Sequence, residues 1–286
     1  MPIIIDPDDI PPDPPVESVS LDGILTVRRD DTWAGVYLIA DYSSDPDVAQ
    51  VRFVRVSENG DEEPVRGGNA AWAPGGVAVA YDHEAPLGVS STWYAYPIYW
   101  DGTVGARSDG AAVTLPEPTT PQDVWLKSLT NPALSMRVIV MAWPTLEYGE
   151  RQDRMDVLGA PSPVMRVDAW SLATSTVTIE TATLEEREQL LALIQSGTTL
   201  LAQTRLDYGR PDAYWVPGKI SESMSGPSYD PHRTWEVPVT AVDRPSTVDS
   251  RLRIPGRSYD DSAAMWPTYA DRTATGQSYH DVTTGG

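Results

Sequence analysis

The 286-residue sequence contains no cysteine. This absence excludes disulfides, thiolate metal ligands and cysteine nucleophiles, although it leaves the redox compartment open. The sequence also lacks an apolar run of the roughly 20 residues that a membrane-spanning helix needs. Residues 1–15 are acidic and rich in proline, whereas a signal peptide is basic and then apolar. We therefore expect a soluble chain that is not exported through a signal peptide of this kind.

Basic residues are few. The chain carries 41 acidic and 21 basic side chains, a formal net charge of −20. Because this excess of carboxylates repels phosphates, it argues against specific binding of nucleic acid and against binding to an anionic membrane. Only Lys127 and Lys219 are lysines, and Phe53 is the single phenylalanine. Since both residue types have AT-rich codons, their scarcity indicates a GC-rich genome.

Residues that could support catalysis are also sparse. The three histidines, His83, His232 and His280, fall in different regions, and none has a partner at metal-ligand spacing. We interpret each as a surface or loop histidine. The glycine pairs at 67–68 and 75–76 precede neither a predicted helix nor a P-loop lysine, so they predict turns rather than a phosphate site.

The acidic residues need no catalytic explanation either. Glu185, Glu186 and Glu188 lie at the start of a predicted helix, where exposed backbone amides favour negative charge. Residues 6–9 lack the glycine and the distal glutamate of a calcium loop. We therefore predict no catalytic, cofactor-binding or metal-binding residue, no cofactor and no enzymatic activity. A hydrolase of cell-wall polymers, which needs a close carboxylate pair in a cleft, is a weaker alternative.

Aromatic rings that carry a polar group are plentiful, at 10 Trp and 13 Tyr. Such rings suit cores and subunit interfaces, and exposed rings can stack on the faces of sugars. The sequence does not separate these uses. The candidates for a sugar-binding surface are Trp72, Trp93, Trp100, Trp215 and Trp266.

The first predicted domain covers residues 18–116. Its strands are expected at 21–28, 33–41, 49–57, 77–81, 94–100 and 111–115. Asn59-Gly60 and Asp101-Gly102 are hairpin signals. Six or seven short strands in about 100 residues favour a β-sandwich. Ala85–Gly88 followed by Thr92–Tyr96 resembles the fibronectin type III turn that precedes a corner tyrosine, for which Tyr94 is the candidate.

The second predicted domain covers residues 122–245 and contains the one convincing helix. Thr183 and Glu186 form a capping box at its start, and Gly197 ends it. Its apolar stripe is predicted to comprise Leu184, Leu190, Leu191 and Ile194. Strands are expected at 136–142, 176–181, 199–205, 214–222 and 233–242. Since the domain is otherwise β, we expect a sandwich or barrel with this amphipathic helix lying over a sheet or over the barrel mouth.

The remaining segments connect or flank these domains. Residues 117–121 predict a stiff, proline-rich linker. Residues 1–17 predict an extended arm rich in proline and aspartate, which is either a disordered leader or an element that binds a neighbouring subunit through Ile3–Ile5. Residues 246–286 carry isolated aromatic residues in polar sequence, which predicts a tail that docks onto another surface.

Residues 120–245 resemble a known class of proteins in the order of their elements. Val124–Lys127, Asn131-Pro132, Val177–Glu180, the helix with Gly197, Tyr214–Gly218 and Trp235–Val239 follow one another as in minor tail proteins of long-tailed actinobacterial phages. The order also resembles that of the ring-forming domain of distal tail proteins. The GC-rich residue usage agrees with such a source. The preceding sandwich departs from the usual distal tail protein.

The resemblance implies a structural virion protein at the phage tail tip. It implies a homo-oligomeric ring, threefold or sixfold, that links the tail tube to the host-recognition apparatus and contacts tape-measure and other tail-tip proteins. The genome passes through such a ring, and we hypothesise that carboxylates of the second domain line its channel and repel DNA. The alternative is an adhesin, a module of the tail tip that binds a receptor or a host cell-wall glycan through the aromatic sandwich.

Overall fold

The described residues form a mostly β protein with one α-helix, and this confirms the predicted fold class. The structure, a computed structural model, describes residues 15–56, 60–150, 152–155, 164–167, 170–227 and 229–245. No helix within these ranges is long and apolar enough to cross a membrane. The chain divides into two compact units between Pro116 and Glu117. Residues 1–14 of the predicted arm, the whole predicted tail at 246–286, and Asn59 of one hairpin signal lie outside the described residues.

Unit 1 is the described part of residues 15–116, and it is a sandwich of two antiparallel sheets. Its strands are β1 (Glu17–Val19), β2 (Leu25–Asp30), β3 (Gly35–Asp41), β4 (Val48–Val56), β5 (Glu62–Pro64), β6 (Ala71–Trp72), β7 (Val77–Asp82), β8 (Ser90–Tyr99) and β9 (Ala111–Thr114). The first sheet has the order β1-β2-β3-β7, and the second has the order β5-β4-β8-β9, with β6 also paired to β4.

Alternation along the strands places the core of unit 1 between its sheets. In β8, Ser91, Trp93 and Ala95 are buried, whereas Thr92 and Tyr94 are partly exposed. The tyrosine-corner prediction is therefore wrong, because Tyr94 lies on the outer face. Its ring is covered by the guanidinium of Arg107, whose carbon is 4.3 Å from the ring centroid. The neighbouring Trp93 occupies the core instead, since strand side chains alternate between faces.

The core of unit 1 also contains charged groups. Arg55 Nη1 donates to Asp82 Oδ2 over 2.8 Å, and the ring nitrogen of Trp93 donates to the same oxygen over 3.0 Å. Arg66 Nη2 donates to Glu84 Oε1 over 2.8 Å. These four charged side chains are nearly fully buried, so their mutual pairing offsets a large part of the cost of removing them from water.

Unit 2 is the described part of residues 117–245, and it is built on a closed antiparallel barrel. Its elements are β10 (Asp123–Ser128), β11 (Met136–Ala142), β12 (Glu147–Tyr148), β13 (Gln152–Met155), β14 (Val164–Val167), β15 (Ala173–Thr181), α1 (Leu184–Gln195), β16 (Leu200–Gln203), β17 (Ala213–Pro217), β18 (Ser221–Met224) and β19 (Arg233–Val242). Six strands follow one another around the barrel in the order β15-β11-β10-β16-β17-β19, and β19 pairs with β15 to close it. Two shorter strands extend this barrel, β12 beside β15 and β18 beside β19.

The barrel interior is an apolar core that the helix closes at one end. Leu190 and Leu193 of α1 belong to the same buried cluster as Val177, Ile179 and the other inward side chains of the barrel. The helix thus covers the mouth at which β15 ends, as the amphipathic pattern predicts. Two side chains differ from the predicted stripe, because Leu184 is 55% exposed and Leu193 is buried instead.

The ends of α1 are set by local hydrogen bonds. The Thr183 hydroxyl accepts a bond from the Glu186 amide over 3.1 Å, as the capping box predicts. The Glu186 carboxylate accepts from the amide of Ala182 over 2.7 Å, one residue before the position expected in a capping box. Gly197 ends the helix with φ of +68°, a left-handed conformation that favours glycine.

The segment predicted as a linker belongs to unit 2. The Glu117 carboxylate accepts from the Leu206 amide over 2.6 Å, and Arg205 Nη1 donates to the carbonyl of Pro118 over 2.8 Å. Pro118 is buried. Residues 117 and 118 are therefore attached to the loop between β16 and β17.

Candidate functional site

A two-stranded ribbon extends the barrel at the mouth opposite α1. β12 pairs with the first residues of β15, Tyr148 opposite Ala173. Beyond this pair the Ser171 amide donates to the Gly149 carbonyl over 2.9 Å. Farther from the barrel, β13 and β14 form a separate antiparallel pair that runs from Gln152 opposite Val167 to Met155 opposite Val164. We call the described residues from Glu147 to Leu172 the ribbon.

The ribbon exposes large apolar side chains. Of the 17 such side chains that are exposed among the described residues, 12 belong to unit 2, and 5 of these lie in the ribbon. The ribbon residues are Tyr148, Met155, Met165, Trp170 and Leu172, with exposed fractions between 45% and 64%. Since a segment rich in exposed apolar groups can mark an interaction surface, the ribbon is the first candidate functional surface.

A second candidate surface is a groove between two loops of unit 1. One loop follows β3 and supplies Asp45 and Asp47, and the other follows β8 and supplies Trp100, Asp101 and Thr103. The groove has a volume of about 490 Å³, within the range of small-ligand sites. These loops lie at the end of the sandwich opposite Leu115, where the last strand of the unit ends.

The structure separates the tryptophan candidates for sugar binding. Trp93 and Trp215 are 0% and 2% exposed, so they are core residues of their units and the sugar-binding prediction is wrong for both. Trp100 is 66% exposed. Its ring meets that of Trp72 edge-on, with 5.5 Å between centroids, at the rim of the groove. Trp266 lies outside the described residues.

The two described histidines agree with the prediction of a surface or loop position. His83 lies in the loop that follows β7, where it is 1% exposed and stacks on Tyr81 with 6.2 Å between ring centroids. His232 is exposed, and its Nδ1 lies 2.6 Å from an oxygen of Asp230, whose hydrogen bond raises the pKa of His232. His280 lies outside the described residues.

The acidic side chains of the described residues were candidates for a metal site or for acid–base chemistry. No group of three or more potential ligand side chains among these residues could hold a metal ion. A depression in unit 2 of about 220 Å³ brings together Asp123, Glu180 and Glu186 with Arg137. Arg137 Nε lies 3.2 Å from an oxygen of Asp123, and Glu186 caps α1, so two of these carboxylates have structural partners.

The negative charge is distributed unevenly between the units. Residues 15–116 carry 15 acidic and 6 basic side chains, a balance of −9, whereas residues 117–245 carry 17 and 11, a balance of −6. Acidic charge is thus denser in the sandwich than in the unit that was expected to line a channel. The groove of unit 1, with three aspartates, is part of this charge.

Comparison with known proteins identifies no family for this chain. No protein-family model matches the sequence, and no curated protein matches it either. The resemblance to phage tail proteins therefore stays a prediction from the order of elements. Any function has to be argued from the ribbon and the groove.

Proposed function

We propose that this chain is a non-enzymatic structural protein of a phage tail tip, in which copies of unit 2 associate into a ring. The observation that carries the proposal is the ribbon, which projects apolar side chains from a barrel that is already closed. Because a closed barrel has no free sheet edge of its own, additional copies have to be joined through such extensions or through side-chain contacts. The order of elements in residues 120–245 supports the choice of a tail tip.

The apolar surface of the ribbon favours a second copy of the same chain as its partner. Met155 and Met165 are 59% and 47% exposed, and methionine adapts well to irregular apolar contacts. Because Met155 pairs with Val164 and Met165 pairs with Arg154, the two methionines lie on opposite faces of the β13–β14 pair, so each face offers one of them. Trp170 and Tyr148 add rings with polar groups, which are enriched at interfaces. In a ring, the ribbon of one subunit contacts a different surface of the next subunit, and this head-to-tail arrangement closes when the rotation per subunit divides a full turn.

The charge hypothesis for the channel is retained as a part of the proposal. The exposed carboxylates of unit 2 include Glu147, Glu150, Glu185, Glu188 and Glu236. A ring whose lumen carries such groups repels DNA phosphates and lets the genome slide past without binding. A ring structure with a neutral or basic lumen would contradict this part of the proposal. In that case the ring assignment would remain.

The experiment is a comparison of assembled mass between the full-length protein and a ribbon variant. We expect multi-angle light scattering to give a closed oligomer for the unaltered chain and negative-stain images to show rings. Replacement of both Met155 and Met165 by glutamate places a charge on each face of the β13–β14 pair. Whichever face makes the contact is then charged, so we expect the variant to be a monomer. Met224→Glu is the control, since Met224 is 52% exposed on β18, outside the ribbon.

Two results would count against the proposal. A monomer at every protein concentration would remove the ring assignment. A ring that survives the double substitution, or one that Met224→Glu disrupts equally, would show that the ribbon is not the contact. Circular dichroism of each variant verifies that the fold is retained.

A further inference from the structure

Two backbone hydrogen bonds and one ring contact position the exposed Trp100. Its amide donates to the carbonyl of Asp47 over 3.2 Å, which joins the two loops of the groove. The Gly102 amide donates to the carbonyl of Tyr99 over 2.9 Å, so the turn that carries the ring is closed. The ring of Trp72 meets the ring of Trp100 edge-on. The backbone that carries the exposed ring is thus held by hydrogen bonds, and the ring itself has one aromatic neighbour on its edge, which leaves its faces open to a ligand.

Polar acceptors lie beside this ring. Asp101 Oδ1 accepts from both the amide and the hydroxyl of Thr103, over 2.9 and 2.6 Å, and these bonds lower the pKa of Asp101. Asp45 Oδ1 accepts from the Asp47 amide over 3.2 Å. Each of these two carboxylates is oriented through one oxygen. The structure records no hydrogen bond from the described residues to their second oxygens, which remain as acceptors at the groove.

We propose that the groove formed by Trp100, Asp45, Asp47 and Asp101 binds a neutral oligosaccharide, with a sugar ring stacked on Trp100 and its hydroxyls donating to the carboxylates. A pyranose has an apolar face of C–H groups and a rim of hydroxyl donors, so it matches a flat ring flanked by acceptors. The volume of the groove accommodates a ligand larger than a single ion. The three carboxylates repel phosphates and uronates, and this restricts the ligand to uncharged sugars.

The test measures binding of defined saccharides to the full-length protein. The probes are cellotriose, maltotriose, an α-linked mannotriose, a β-linked galactotriose and the trisaccharide of N-acetylglucosamine, each titrated by isothermal calorimetry. We expect at least one to bind, with an affinity that added salt leaves unchanged because the ligand carries no charge. The groove of unit 1 should not bind a trimer of galacturonic acid at the same concentration, because its carboxylates repel those of the ligand.

Matched tryptophan variants locate the site. We expect Trp100→Ala to weaken binding about tenfold or more, since the stacking surface is removed. Trp170→Ala is the control, because Trp170 is 64% exposed, close to the 66% of Trp100, but lies in the ribbon of unit 2. Asp101→Asn keeps an acceptor oxygen and should reduce affinity less than Asp101→Ala. Trp100 is largely outside the core, so thermal unfolding should report a folded variant.

Three outcomes would overturn the proposal. One is that none of the five trisaccharides binds. Another is that binding survives in Trp100→Ala or is lost equally in Trp170→Ala. The third is that trilysine binds at Trp100 in a salt-dependent manner while no neutral sugar does, which would make the groove a cation site. A ribbon variant that no longer forms the oligomer still contains the groove of unit 1. The result of the saccharide test therefore does not depend on the proposal of an oligomeric ring.

Discussion

The two units differ in their buried charged groups and in their exposed apolar groups. The sandwich buries two pairs of opposite charges, Arg55 with Asp82 and Arg66 with Glu84, and its described surface exposes only five large apolar side chains. The barrel unit has an apolar core cluster, also buries the charged side chains Lys127 and Asp123, and exposes twelve large apolar side chains among its described residues. A buried ion pair contributes little net stability but constrains geometry, whereas exposed apolar surface is a cost unless a partner covers it. The exposed apolar groups of the barrel unit support the proposal that copies of the chain associate through this unit.

The largest loss of stability is expected from a substitution of a buried charged residue in the sandwich. Asp82→Ala removes one of the two carboxylate acceptors of Arg55, which keeps Glu63, and it removes the acceptor of the Trp93 ring nitrogen. We therefore expect a loss of about 3–5 kcal/mol in unfolding free energy. Urea denaturation followed by tryptophan fluorescence measures it. Asp31→Ala is the control, since Asp31 pairs with Arg29 at the surface. A loss below about 1 kcal/mol would show that the buried charges are not coupled as described.

The apolar core of the barrel unit gives the next largest effect. Leu193→Ala in α1 deletes a fully buried side chain, and we expect a loss of about 2–5 kcal/mol from lost transfer energy and from the cavity that remains. Leu184→Ala is the control in the same helix, and its exposed side chain predicts a much smaller change. Equal losses of unfolding free energy for the two variants in urea denaturation would contradict the assignment. It places Leu193, and not Leu184, on the face of α1 that covers the barrel mouth.

The smallest effect concerns the charged surface of the barrel unit. Arg187 Nε and Nη2 donate to the two oxygens of Glu222 over 2.6 and 2.9 Å, and this bidentate pair joins α1 to β18. The hydrogen bonds lower the pKa of Glu222 below 4.5. A carboxylate whose pKa is lower in the folded state than in the unfolded state stabilises the fold at pH values above the unfolded-state pKa. This contribution is lost as the pH falls from about 4.5 through the folded-state pKa of Glu222. We expect Glu222→Gln to show a shallower loss of stability in that acidic range, measured by thermal unfolding at several pH values.

Elements with clear periodicity were predictable from the sequence. β11 and β19 have the predicted bounds, 136–142 and 233–242. Apolar and polar side chains alternate along β19, and β11 is a mostly apolar run between Ser135 and Pro144, although its side chains are alternately buried and exposed. The start of α1 at Thr183 follows from a local hydrogen bond that the sequence encodes within four residues. Such elements depend on neighbours in the chain, so their signals are local.

Features that depend on distant contacts were not predictable. Trp93 and Tyr94 are adjacent aromatic residues in a strand, and only the position of the facing sheet decides which one is buried. The closure of the barrel requires β15 to pair with β19 across more than 50 residues, from Thr174 opposite Thr240 to Thr181 opposite Arg233. The exposure of Trp100 depends on its place just beyond the end of β8, where the pairing with β4 has stopped.

The most direct test of the contrast between the units uses a single cysteine as a reporter, since the natural chain has none. Met155→Cys in the ribbon and Val19→Cys in the sandwich are matched, at 59% and 53% exposure. Each is labelled with a polarity-sensitive dye, and its emission is recorded as the protein concentration rises. We predict a blue shift at position 155, as association covers the ribbon, and a constant spectrum at position 19. Constant spectra at both positions, or equal shifts at both, would contradict the assignment of association to the barrel unit.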